Sequence, residues 1–225
     1  MMATIFENRL EKLRQSFTEM GVDVSEQIYQ STKSYIDHDV KLAQTVIDGD
    51  SDVNSNETKL EKQAMNLIAL QQPVASDFRI IISYLKAASD LERIGDNAGT
   101  IARETLRAKG NPRIADVETV IAKITKHVRK MLEQILDAYT TLDATIAPEI
   151  AQEDRKIDHY YQTTRTAITE GILANPETAV AASSYLMVIR LLERIGDHIV
   201  NLAEYLIYCE TGKIVELDAD DGHLD

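Results

Sequence analysis

The chain has 225 residues and a formal net charge of −13, with 37 acidic residues against 24 Lys and Arg. That balance weighs against nucleic-acid binding and against direct docking on anionic lipid, since both need basic patches, and it favours cations or basic protein surfaces as partners. A hydrophobic content of 44%, with four Pro, three Phe and no Trp, suits an all-α protein packed with Leu, Ile, Val and Ala.

From the start, Leu10, Leu13, Phe17, Met20, Val24, Ile28, Tyr35, Leu42 and Val46 recur at helical spacing, which predicts one long amphipathic helix. Gly49 and the run Asp50-Ser51-Asp52 are expected to break it. A second helix then runs from about Val53 to Gln71 and is closed by Pro73. A third, capped by Ser76 or Asp77, continues to Lys109, and Gly110-Asn111-Pro112 marks a boundary.

Displaced by 104 residues, the second half repeats the first: Leu10 falls on Ile114, Phe17 on Ile121, Tyr35 on Tyr139 and Asp39 on Asp143. The predicted organisation is therefore two similar three-helix bundles, residues 1–109 and 112–213, with an acidic tail at 216–225 that reads as disordered. Cys209 is the single cysteine, which excludes an internal disulfide and fits a small core residue. No charged-then-apolar leader opens the chain and no apolar run is long enough to span a bilayer. These features predict a cytoplasmic protein whose contact with the membrane is made through a partner.

The pentapeptide Glu-Arg-Ile-Gly-Asp occurs at Glu92 to Asp96 and again at Glu193 to Asp197, at an offset of 101 residues. On a helix each pair of acids lies on one face, one turn apart, and repels by a few tenths of a kcal/mol. Gly95 and Gly196 each add a cost of about 1 kcal/mol as mid-helix glycines. Something must compensate in both halves. Glu193, Asp197, Asn201 and Glu204 form one oxygen-bearing stripe, whereas its counterpart Glu92, Asp96, Thr100 and Arg103 ends in a cation.

The preceding helix of each half brings further oxygens to the start of an antiparallel pair, Asp50, Asn54 and Glu57 in one and Asp154 and Asp158 in the other. Clustered carboxylates raise one another's pKa or recruit a hard cation. A solvated acidic face satisfies the spacing equally well, but the duplication and the glycines beside the stripe favour metal, with the second half binding more tightly. Asp39 and Asp143 fall on the apolar seam, where a buried ion pair with an arginine such as Arg79 is a better reading than ligation. His159 and His198 are rotated off the acidic face. The Glu-x-x-His motif of ferritin-like di-iron bundles is absent from both pentapeptide helices, and the sequence shows no nucleophile with its base and no glycine-rich phosphate loop. No catalysis is predicted.

Val53-Asn54 with Glu57, Gln72-Pro73-Val74-Ala75-Ser76-Asp77-Phe78-Arg79 and the two pentapeptides together give a chain that resembles the PhoU family over nearly its whole length. The resemblance implies a pair of three-helix bundles with multinuclear metal clusters on their surface, carried here by Glu92, Asp96, Glu193, Asp197, Asp154 and Asp158. Iron, zinc, manganese and magnesium are all candidates for the metal. It further implies negative regulation of phosphate uptake and of the phosphate-starvation response, by linking a phosphate ABC transporter ATPase to a sensor histidine kinase. A homodimer is the expected assembly. The alternative reading is a ferritin-like carboxylate-metal enzyme or metal store.

Overall fold

A computed structural model of the chain describes residues 5–217, apart from the side chains of residues 50–52. Six long helices follow one another: α1 (Ile5–Asp37), α2 (Val40–Gln71), α3 (Ala75–Ala108), α4 (Ala115–Thr141), α5 (Ala147–Ala174) and α6 (Ala179–Thr211). Single 3-10 turns at Ala144–Ile146 and Pro176–Thr178 lead into α5 and α6, and there is no strand among the described residues. The fold is all-α, two similar three-helix bundles in sequence, with α1 to α3 in the first and α4 to α6 in the second. Residues 218–225, most of the tail expected to be disordered, lie outside the described residues.

The first break falls eleven residues earlier than the expected one at Gly49. His38 takes a left-handed conformation at φ 55° and Asp39 then starts a new helix, its Oδ1 accepting from the backbone N–H groups of Lys41 and Leu42 at 3.0 Å each. This is an N-cap, worth about 1 kcal/mol. Gly49 is carried inside α2, where a Cβ would meet nothing within 4 Å, so glycine there costs only its helix propensity. The repeat preserves the device. Leu142 is left-handed at φ 56° and Asp143 accepts from Thr145 N–H at 3.0 Å. Asp39 and Asp143 are thus exposed caps, which corrects the seam reading, and Arg79 instead donates to the Cys209 carbonyl at 3.4 Å. At α3 the expected caps Ser76 and Asp77 lie inside the helix, which begins at Ala75 after an extended Val74 with no side-chain cap.

The apolar faces of all six helices merge into one continuous core that crosses the boundary between the halves. At its centre Phe17 of α1, Tyr84 of α3 and Tyr139 of α4 pack with ring centroids 4.8 to 5.3 Å apart. Such aromatic pairs add about 0.5–1.5 kcal/mol each beyond their burial. A buried phenol needs a hydrogen bond, and both find one in the backbone: Tyr84 OH donates to Tyr139 O at 2.9 Å and Tyr139 OH to Leu202 O at 3.0 Å. Cys209 is buried, and burial pushes its thiol pKa up.

Toward the other end, the buried Glu118 of α4 accepts from Arg113 in the α3–α4 connection at 2.7 Å and from Tyr185 OH of α6 at 2.7 Å, while the left-handed His38 lies 3.4 Å away. The α1–α2 break, the connection between halves, α4 and α6 are therefore tied to one carboxylate. Desolvation opposes its charge, but these donors win and hold its pKa below the usual glutamate value.

Candidate metal centre

In the second bundle α5 and α6 run antiparallel, so that the early turns of α5 face the middle of α6. This register brings Asp154 and Asp158 to Asp197, with one carboxylate oxygen from each lying within 4.8 Å of the other two. Among the described residues this is the one group of three or more carboxylate, imidazole or thiolate side chains so disposed. Asp154 is buried at 2% exposure, and the other two are more open. The reason α6 tolerates glycine at 196 is visible here: a Cβ at Gly196 would lie 2.1 Å from Asp154 Oδ1. The glycine is the space in which the carboxylate sits.

Glu193, one turn before Asp197, is also buried. Its Oε1 takes a hydrogen bond from Arg190 at 2.5 Å, while its buried Oε2 meets no hydrogen-bond donor among the described residues. Burial, then the nearby charges of Asp197 and Asp158, push its pKa up to about 7 against the pull of Arg190 and Arg194. A hard cation suits such a donor set: three converging carboxylates, a fourth under strain to stay charged, and all-oxygen chemistry. The residues fit a divalent or trivalent metal ion.

The remaining members of the α6 stripe turn elsewhere. Asn201 donates to Asp90 Oδ1 of α3 at 3.2 Å, and Glu204 accepts the Leu217 backbone N–H at 2.7 Å. His198 is buried and its Nδ1 lies 2.7 Å from the same Asp90 oxygen, while Tyr205 also bonds this carboxylate. Asp90, 4% exposed, is thus a hub that anchors the back of the α6 stripe to the first bundle. Desolvation opposes its charge, yet His198 and Asn201 draw its pKa down. In the sequence Asp90 reads only as a flank partner for the pentapeptide arginines, because Leu191 occupies the repeat-related position and no duplication flags it.

In the first bundle Glu92 and Asp96 lie one turn apart on α3, and Asp96 comes near Glu57 of α2: burial followed by Glu61 raises the Glu57 pKa, with Asp96 adding to it. Asn54 is exposed and its backbone carbonyl accepts from Thr58. Asp50 lies in α2, with its side chain outside the described residues. Where Gly196 meets Asp154, Gly95 meets Val53, whose Cγ1 would be 3.1 Å from a Cβ, and Gln27 Oε1 at 3.1 Å. The central carboxylate of the second site is replaced by a buried valine.

The fold and site define an all-helical protein built from two duplicated three-helix bundles with one acidic pentapeptide in each, and the comparisons give its family. Residues 17–105 and 121–206 each match the PhoU domain. The phosphate-specific transport system accessory protein PhoU homolog of Streptococcus pneumoniae is 36% identical over 214 residues, covering 95% of this chain and 98% of that protein. The Escherichia coli phosphate-specific transport system accessory protein PhoU is 31% identical, over 92% of this chain and 86% of its own length. Crystal structures of PhoU from Streptococcus pneumoniae and Pseudomonas aeruginosa superpose with TM-scores of 0.88 and 0.87, each at 34% identity, covering 94% and 92% of this chain. The chain belongs to the PhoU family. Among the described residues no helix is long and apolar enough to cross a membrane.

Proposed function

We propose that this protein is a metal-binding regulator of phosphate homeostasis that represses phosphate uptake and the phosphate-starvation response by contact, without turning over a substrate. Its relatives are named as accessory and regulatory proteins of phosphate transport. The partners are the ATPase of a phosphate ABC transporter and a sensor histidine kinase, which would place the protein in the cytoplasm, peripheral to the membrane. The observation that carries the metal part of the reading is the convergence of Asp154, Asp158 and Asp197 beside Gly196. These three would hold the cation, with Glu193 beside them. A bound cation would supply the positive charge that cancels carboxylate crowding. Asp154 and Asp158 then tie α5 to Asp197 on α6 and stiffen the surface that the partners meet.

Deleting the gene should leave the starvation response on in abundant phosphate, and the purified protein should co-purify with the ATPase or with the kinase's cytoplasmic region. Normal phosphate regulation in the deletion strain, together with ferrous iron oxidation by metal-loaded protein that Asp197→Asn abolishes, would overturn the regulator in favour of a carboxylate-metal enzyme.

A further inference from the structure

Against a net charge of −13, α4 carries a local reversal. Between Thr119 and Leu132 it has Lys123, Lys126, Arg129 and Lys130 and no Asp or Glu. This stretch lies along α1 on the outer seam where the two bundles meet. The helices are antiparallel there: a Cβ at Gly21 would meet Leu136, Arg129 Nε donates to Ser25 Oγ at 3.3 Å, and Arg113 donates to the Ile36 carbonyl at 2.5 Å. Between them runs a trough of about 530 Å³.

The apolar part of its lining comes from Tyr29, Ile36 and Ala122, and its cations are Lys33, Lys126, Arg129 and Lys130. Of its two acids, Asp37 is held by Lys33 at 2.8 Å, and Glu133 stands beyond Lys130 on α4. Arg129 is fixed over the Tyr29 ring, 4.9 Å from its centroid, so the apolar and cationic parts of the trough form one surface. Tyr29 is 41% exposed, unlike the tyrosines of the core.

The geometry points to a docking groove for an acidic amphipathic helix of a partner protein, its apolar face on Tyr29, Ile36 and Ala122 and its carboxylates on the lysines. A trough between two antiparallel helices receives a third helix by ordinary helix packing, and apolar anchors with flanking charges are how grooves of this kind select their ligands. Charge complementarity separates the occupants. A second copy docked by a two-fold axis would set these cations against themselves, and a head-to-tail arrangement would propagate into open fibres. Anionic lipid repels the rest of this acidic chain. The inference rests on the regulatory reading only in taking the occupant to be protein.

The test uses the full chain with the transporter ATPase and the kinase's cytoplasmic region as separate probes, and compares wild type with Lys126→Glu/Lys130→Glu and with Ala122→Arg, all changes at exposed positions. Both variants should keep the wild-type melting temperature and metal content while binding to one probe falls at least tenfold. A photocrosslinker at position 122 should capture an acidic helical segment of that probe, and Lys substitutions of its acids should restore binding to the charge-reversed chain. If wild type binds neither probe, the regulatory reading fails. If wild type and both variants bind equally, only the groove is wrong. Crosslinks to a second copy, or lysine-dependent sedimentation with phosphatidylglycerol vesicles, would also overturn it.

Discussion

Gly196 and Asp154 stand so close that a methyl group on the first would fall 2.1 Å from a carboxylate oxygen of the second. One helix surrenders a side chain so that another can keep a buried charge. Gly196→Ala should therefore drive Asp154 out of the cluster and lower metal affinity at least tenfold, measured by calorimetric titration. The gain of about 1 kcal/mol in helix propensity is offset by an overpacking cost of about 1–3 kcal/mol. Gly95→Ala meets Gln27 and Val53 at 3.1 Å and should be milder on both counts.

Asymmetry between the bundles is the second expected outcome. Asp197→Asn should remove more metal than Asp96→Asn, because Asp197 completes a three-carboxylate set and Asp96 faces a half in which Val53 replaces the third. Val53→Asp should raise the metal content of the first bundle. In the metal-free protein the same change should be destabilising, since Val53 is only 5% exposed and a buried charge needs a partner. Metal present at a hundredfold over its Kd should return about 2.7 kcal/mol. Equal losses from the two Asp→Asn changes, read by elemental analysis, would contradict the asymmetry.

Acid sensitivity should trace in part to Glu118. Its pKa is lower folded than unfolded, so its contribution is fully present above the ordinary glutamate value and is lost as pH falls through the folded one. Glu118→Gln should flatten the fall of the melting temperature on the acid side and cost about 1–3 kcal/mol near neutrality, because the neutral amide keeps one acceptor oxygen for Tyr185 and loses the one that Arg113 donates to. Thermal melts of both proteins from neutral pH down to pH 3 decide it.

Tyr139→Phe should cost about 1–3 kcal/mol by leaving the Leu202 carbonyl without the hydroxyl it accepts from, with little change in helix content. Urea unfolding should show one transition in both proteins, because the halves share a core. Two separable transitions would show that the bundles are independent.

The seam residues Phe17, Val24 and Tyr35 were legible as core because 3.6-residue periodicity reports burial directly, and all three are buried. The α1–α2 break was misplaced for a physical reason. Gly49 invites a break yet is tolerated in an exposed helix for about 1 kcal/mol, whereas His38 turns the chain without glycine or proline. Asp39 was the available signal, a capping residue directly before Val40 and three before Leu42, but its place on the apolar stripe disguised it. The convergence of Asp154, Asp158 and Asp197 followed from antiparallel register. The roles of Asn201 and Asp90 did not, since which way a polar stripe turns is decided by a helix from the other half. The basic face of α4 was hidden inside an acidic total.

Tyr84 of α3 has its hydroxyl on α4, Asp90 of the same helix receives its donors from α6, and α6 is the last helix in the chain. During synthesis the first hundred residues therefore emerge with an apolar face that nothing yet covers. At about 5–20 residues per second the wait for α6 lasts on the order of 5–20 s, long enough for a nascent chain to be bound by chaperones or to associate with its neighbours on a polysome. A gene cut at Gly110 should yield an aggregate rather than a smaller bundle, and the duplication, once fused, is one that neither copy can leave.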